Sequence, residues 1–459
     1  MSTGPQHGIL TALDIGTSKV TAMIARINDE EKLQVIGMGT QPSYGMKKGV
    51  VVNIEATITA IQKAMTDAQN MAGVPVKSVV VGISGAHIHS FNSTGVVAIA
   101  HHEVSEQDID RVIEAAQAVA IPADQRILHI LPQEFIIDKQ EGIKDPLGMS
   151  GVRLEAKVHM VTGSVSAAQN NIKCIRHCGL EVSDIILAPL ASSYAVLTDD
   201  EKELGVCMID IGAGTTDIAV FIDGAIAHTA VLPIGGTQVS NDLAHALRSS
   251  LQFAEDIKLN YGAALASHVH PEDSIEVPGM ADRPGKVFTL QALAEVIQSR
   301  YEELFTLIKQ DLERAGFKEN LAAGFVLTGG GSKPQGLVEL AELTFVSPVR
   351  LGAPDHENIL GLREVISDPA YSSSTGLLIY THQQMAETHG LDLESYVGVG
   401  ADLGVAGAGA QQANHNYLKS YSHAHSQSGS QSQSNSNSNQ ARPRLQKLAK
   451  VKSWFSKYF

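Results

Sequence analysis

Two short stretches carry residue types suited to binding a phosphorylated ligand. Met208 to Val220 reads Met-Ile-Asp-Ile-Gly-Ala-Gly-Thr-Thr-Asp-Ile-Ala-Val, two apolar runs around a turn of Gly212, Ala213, Gly214, Thr215 and Thr216. Asp210 stands on the entering strand and Asp217 on the leaving one. Glycines let a backbone approach a bulky anion and turn N–H groups toward it, threonine hydroxyls add donors, and a nearby aspartate can hold hydrated Mg2+. A single Gly-x-Gly-Thr also fits an ordinary tight hairpin, so a second copy is informative. Leu13 to Val20 supplies one, with an apolar strand, Asp14, a turn of Gly16, Thr17 and Ser18, and a second strand. Asp14 and Asp210 lie 196 positions apart and each is followed by Ile-Gly, which points to two related halves facing one ligand. Lys19 adds a cation within reach of a β- or γ-phosphate.

The elements needed to position these turns follow from hydrophobic periodicity. Leu33 to Met38 and Val79 to Ile83 are strands, and Asn53 to Met71 is an amphipathic helix through Ile54, Ile58, Ile61, Met65 and Ala68. Strand, hairpin and helix in that order open an α/β domain. From Gly85 to Thr162 the pattern changes to a small α+β insert. Its helix Glu103 to Val119 has a serine start at Ser105, and its strands are Arg126 to Ile130, Glu134 to Asp138 and Leu154 to Val161. Helices follow at Ser166 to Cys178 and from Ala188 to Leu197, with the strand Val182 to Leu187 between them. Beyond the second turn, Gly235-Gly236-Thr237 opens a helix to Leu247, a further possible anion site at its N-terminus. Glu255 and Lys258 share a face of the helix Leu251 to Tyr261, as an ordinary ion pair would. Thr289 to Ala315 is a long helix with Arg300, Tyr301, Glu302 and Glu303 on or near its open side. A third strand, from Phe325, runs into Gly329, Gly330 and Gly331, and Pro369 to Gly376 opens a last core helix ending near Met385.

Composition bounds the rest. A chain of 459 residues with 44% hydrophobic content can bury more than one core. Cys174, Cys178 and Cys207 are too few for a disulfide framework and lack the neighbours of a zinc site, so they read as reduced packing thiols. His101, His102 and His159 have no carboxylate or cysteine at ligand spacing. The first ten residues lack a signal-peptide pattern and no run spans a bilayer, so a cytoplasmic protein is expected. A net charge of −15 argues against nucleic acid as a partner. That average divides into +6 over residues 441–459 and −21 over the remainder.

The basic end is a separate device. Residues 411–440 are rich in Ser, Gln, Asn and His, a flexible tether spanning roughly 30 Å as a coil. Beyond it, Leu445, Leu448, Val451, Trp454, Phe455, Tyr458 and Phe459 fall on one side of a helix, with cations, Lys450 and Lys457 among them, opposite. Lys452, near the Leu445 edge, has to snorkel. Burying such side chains at ~1.5–3 kcal/mol each, with about 1 kcal/mol per cation near anionic lipid, can exceed the ordering cost. An anionic membrane surface is the expected partner.

Taken jointly, the three strand-glycine elements and the helices at Ala188 and Tyr371 resemble the actin, Hsp70 and sugar-kinase superfamily. Within it, the insert is similar to that of the bacterial FtsA cell-division family, through Ile127-Leu128-His129, Leu131-Pro132-Gln133-Glu134-Phe135 and Gly148-Met149-Ser150-Gly151-Val152-Arg153-Leu154. The likeness covers about residues 7–385 and returns at the last 15 or so. It implies an α/β, two-lobed actin-like ATPase fold with a small α+β insert in the first lobe and a C-terminal amphipathic helix. The first lobe would comprise 7–84, 163–206 and 363–385, with 85–162 as the insert. The second lobe would comprise 207–250 and 317–362 with an outer subdomain 251–316, followed by a linker 386–441 and a membrane helix 442–459.

The same resemblance implies ATP and Mg2+ as cofactors. Asp14, Gly16, Thr17, Lys19, Asp210, Gly212, Gly214, Thr215 and Thr216 would meet phosphates and metal, with Asp14 and Asp210 holding Mg2+ through water. Gly329, Gly330 and Gly331 would meet the adenosine, and Glu255 and Lys258 the ribose and base. Bacterial actins and Hsp70s often begin the first connecting helix with Glu-Pro, whereas this chain has Ala188-Pro189. Without that carboxylate the attacking water is poorly oriented, so binding is expected to be firmer than hydrolysis. Implied partners are the C-terminal peptide of the tubulin-like protein FtsZ, with Arg300 and Tyr301 as contacts, further copies of the chain in filaments, and later division proteins through the insert. The implied location is the cytoplasmic face of the inner membrane. A sugar-type kinase and a pilus-assembly actin homologue are the alternatives.

Overall fold

A computed structural model describes residues 8–28, 32–277, 284–317, 320–354 and 359–388. The expected amphipathic end, with Leu445 through Phe459, and all of the tether beyond residue 388 lie outside the described residues.

Each Asp-Gly turn sits in a sheet of its own, and the two sheets share one plan. In the first, the order is Glu181–Leu187, Ser78–Ile83, Ile9–Ile15, Lys19–Ile27, Leu33–Pro42 and Ile359–Leu360. In the second it is Ala225–Leu232, Thr216–Ile222, Val206–Ile211, Gly324–Thr328 and Val349–Leu351. Each entering strand pairs antiparallel with the strand after its turn and parallel with a later strand, which sets Leu13 beside Val81 and Asp210 beside Thr328. Loops at the carboxyl ends of parallel strands are therefore brought to one crevice, the usual ligand position in open α/β sheets.

The helices Ala188–Val196 and Ser372–Thr388 cross between the sheets. One apolar core contains Leu190 and Leu377 from these helices, Ile186 and Met23 from the first sheet, and Met208, Ala219 and Val326 from the second. Burial of each such large side chain contributes roughly 1.5–3 kcal/mol, so the lobes are packed together through the helices rather than hung on a linker. The second lobe has its own core, in which the long helix Leu290–Ala315 buries Leu293, Ile297, Tyr301, Leu304, Phe305, Ile308 and Leu312.

The insert forms a four-stranded sheet, His89–Ala98, Arg153–Ser164, Gln125–Ile137 and Gln140–Ile143 in that order, backed by the helix Glu106–Gln117. Ser105 and Asp108 close a reciprocal cap that starts this helix, three residues later than Glu103. The expected strands Arg126–Ile130 and Glu134–Asp138 are one strand running through Pro132. A register shift opposite Lys157 and Val158 takes up the proline there. The insert also braces the second lobe. Ser90 Oγ donates to Thr229 O at 2.6 Å, Gln133 Nε2 to Ile226 O at 3.0 Å and Lys144 Nζ to Asp223 O at 2.6 Å. His159 is buried between Asn92 Oδ1 and Thr229 Oγ1, at 2.7 and 2.9 Å, and desolvation drives its pKa down to about 3. It acts as a neutral structural link.

Candidate functional site

Both turns close in the same way, with Gly16 N donating to Lys19 O and Gly212 N to Thr215 O, each at 2.9 Å. They meet face to face across the lobes. A Cβ built on Gly214 would lie 2.5 Å from Thr17 Oγ1, so only glycine fits where the second turn touches the first. Thr17 Oγ1 also accepts the Gly49 N–H at 3.1 Å. Thr17 thus rivets the two turns to each other and to the loop below.

Around this contact lie the carboxylates of Asp14, Asp210 and Asp217 and the ammonium group of Lys19. Burial pushes Asp14 up to about 6, Lys19 draws it back, and the Asp210 charge raises it further. Lys19 is lowered to about 8 by burial, against the opposing pull of Asp14 and Asp368, and its Nζ sits 3.4 Å from the centroid of the Tyr371 ring. Asp210 accepts Ser192 Oγ at 2.6 Å and Ser373 Oγ at 3.2 Å on the same oxygen, Oδ2. Those serines belong to the two connecting helices, and their hydroxyl oxygens stand 2.8 Å apart. Desolvation raises the Asp210 pKa and the hydroxyls lower it. Asp217 is pushed up to about 7 by burial and then by Asp210, although Ser84 donates to its Oδ1 and Thr215 to its Oδ2, the latter at 3.1 Å. Asp14, Asp210 and Asp217 all have raised pKa values, and a hydrated divalent cation beside them would favour their ionised forms, so Asp14 and Asp210 fit outer-sphere Mg2+.

Several expected phosphate donors have other duties. A hydroxyl has one proton to give, and Thr216 gives its own to Ile234 O at 2.8 Å while Thr215 gives its own to Asp217. The N–H groups expected to form an anion site at the helix Gly236–Leu247 instead bond the second turn, Gly236 N to Gly212 O at 2.9 Å and Thr237 N to Ala213 O at 2.8 Å. The second turn is left with backbone N–H groups to face an anion, and the first adds Lys19 and the hydroxyls of Thr17 and Ser18.

Glu255 and Lys258 do pair, at 2.8 Å, and Lys258 Nζ also reaches Ser240 Oγ at 2.9 Å and Gly236 O at 3.1 Å. The pair therefore stands beside the second turn. The third turn, Gly329 to Gly331, packs on the same hairpin, close to Asp210 Oδ1 and Ile211 O. Arg300 is engaged by Asp242 at 2.6 Å and by Glu303. Tyr301 corrects the sequence expectation. It is only 2% exposed, because it lies four residues after Ile297 and three before Leu304 on the apolar stripe, and it cannot be a surface contact. Ala188 is buried at the start of its helix and supplies no carboxylate.

The sequence is 57% identical to the cell division protein FtsA of Pseudomonas aeruginosa over 379 residues, covering 83% of this chain and 90% of that protein. The chain belongs to the FtsA family of cell-division proteins. FtsA of Escherichia coli K12 is 44% identical, with 81% of this chain and 90% of that protein covered. The family model for the SHS2 domain inserted in FtsA matches residues 85–162, and the FtsA cell-division model matches 207–376. The fold is actin-like. It is similar to a PilM–PilN type IV pilus biogenesis complex, at 17% identity and a TM-score of 0.60 over 81% of this chain and 97% of that one. It is also similar to MreB5 of Spiroplasma citri bound to ADP, at 15% identity and a TM-score of 0.52 over 84% of this chain and 100% of that one. Among the described residues no helix is long and apolar enough to cross a membrane.

In this FtsA-family site, Ser84, Ser192 and Ser373 had no signal in the sequence, since they reach their aspartates over 133, 18 and 163 positions. Asp217 had one, its place on the leaving strand of the Gly-rich hairpin.

Proposed function

We propose that this chain binds ATP with Mg2+ between its lobes, polymerises on the cytoplasmic face of the inner membrane, and anchors FtsZ there. The observation that carries the nucleotide reading is the contact of Gly214 with Thr17, which joins two Gly turns amid Asp14, Asp210, Asp217 and Lys19. In this reading Lys19 leaves the Tyr371 ring for a phosphate, and the turn N–H groups cradle the remaining oxygens. Mg2+, when bound, neutralises phosphate charge, with Asp14 and Asp210 holding its waters. Gly329 to Gly331 border the adenosine, and Glu255 with Lys258 the ribose and base. Hydrolysis is slow because Ala188 stands where a water-orienting carboxylate is needed. The subdivision into lobe cores, insert 85–162 and outer subdomain 251–316 goes with this reading.

The amphipathic stretch from Leu445 to Phe459 supplies the anchor, and the tether gives the core reach. Arg300 remains the contact for the FtsZ C-terminal peptide, exchanging Asp242 and Glu303 for partner carboxylates, and the insert receives later division proteins. Membership of a cell-division family supports this reading over a sugar-type kinase or a pilus-assembly homologue. Sedimentation with anionic liposomes tests it. ATP should drive co-sedimentation and recruit FtsZ, while removal of residues 447–459 should release the protein with ATP binding intact. Undiminished vesicle binding by the truncated chain would refute the anchor, and no ATP binding at all would refute the site.

A further inference from the structure

The buried Tyr301 hydroxyl donates to the carbonyl of Gly331 at 2.7 Å. Among the described residues this is its one hydrogen bond, in an apolar setting that includes Phe305, with ring centroids 6.2 Å apart. A buried hydroxyl without an acceptor is costly, so the long helix and the third glycine turn are held at one spacing. Burial, followed by the charge of Glu255, pushes the Tyr301 pKa above its usual range, which keeps the group a donor at every physiological pH.

The other side of the turn is equally constrained. A Cβ on Gly331 would lie 2.6 Å from Ile211 Cγ2 and 2.9 Å from Ile211 O, and Ile211 is the last residue of the strand that carries Asp210. The turn is therefore clamped between the second phosphate hairpin and Tyr301. Resting on the nucleotide reading above, we propose that Tyr301 is a positioning residue for the adenosine end of the ligand, acting through Gly331. The next residue back along the helix, Arg300, faces outward into Asp242 and Glu303.

The test uses the full chain and two Mg2+-loaded probes, ATP and inorganic tripolyphosphate, which lacks the adenosine. Tyr301→Phe should weaken ATP binding about fivefold to tenfold, the usual effect of one lost hydrogen bond, and leave tripolyphosphate binding unchanged. Phe305→Leu, a packing change one turn along the same helix, should lower the melting temperature without altering the ratio of the two affinities. Equal weakening of both probes by Tyr301→Phe, unchanged ATP affinity, or the same ratio change from Phe305→Leu would each overturn the proposal. Loss of ATP binding in the unaltered chain would instead overturn the nucleotide reading itself and the proposal with it.

Discussion

The two Asp-Gly hairpins share a turn closure and a sheet plan, yet they are held very differently. In the second, Asp210 is fixed by Ser192 and Ser373, Asp217 by Ser84 and Thr215, and the turn carbonyls by the helix beginning at Gly236. In the first, burial and then the charges of Lys19 and Asp210 act on Asp14, and Lys19 rests on the face of an aromatic ring. Lys19 occupies the position that Thr215 holds in the second turn, and the exposed Ser18 the position of Gly214. A repeated motif has thus divided its labour. One copy is a frame built of hydrogen bonds, and the other carries charge able to move to a ligand.

The sharpest way to break this asymmetry is Gly214→Val. Its side chain would force the turns apart at Thr17, and a displacement of roughly 1 Å in a positioned site costs on the order of a hundredfold, so ATP titration should show a loss of that size. Gly16→Val offers a comparison, since a Cβ there would lie 2.9 Å from Lys19 O and strain the first turn without meeting the second.

Asp14→Asn tests the charge-governed copy by pH. The folded-state pKa of Asp14 is raised from 3.8 to about 6, so the folded chain holds a proton that the unfolded chain releases. The resulting stability is complete below pH 3.8 and is lost as pH rises through about 6. It amounts to at most about 3 kcal/mol. Chemical denaturation without nucleotide should show a falling limb between pH 4 and 7 in the native chain, to which Asp217 and Asp184 also contribute because burial raises them too, and the variant should lose only the Asp14 share of it. A slope unchanged by the substitution would mean that Asp14 is fixed as Asp210 is. The smallest effect separates Lys19→Ala from Thr215→Ala. Loss of a charged donor should weaken ATP about tenfold or more, whereas loss of a hydroxyl already given to Asp217 should change it only a few-fold.

What could be read in the chain alone follows from how local each feature is. Asp14, Gly16, Asp210, Gly212 and Gly214 were legible because a strand, a turn and an acid fall within a few consecutive residues. The helix from Ile54 and the strand from Ser78 were legible because apolar spacing repeats at 3.6 and 2 residues. Pro132 misled because a proline marks a break only where the register cannot slip around it. Tyr301 was misplaced despite its correct helical phase, since its polar neighbours Arg300, Glu302 and Glu303 suggested an open face. The serines around Asp210 were beyond reach, because nothing in a sequence announces which hydroxyl a crossing helix will bring to a distant carboxylate.

The brace between insert and second lobe has a consequence for colloidal behaviour. The strand Ala225–Leu232 is one edge of its sheet, and the opposite edge, Val349–Leu351, is only three residues long. Side chains of the insert already occupy backbone carbonyls of Ile226, Ala227 and Thr229 along the longer edge. That edge is denied to strands of neighbouring molecules, so close crowding of copies does not open a route to runaway sheet growth.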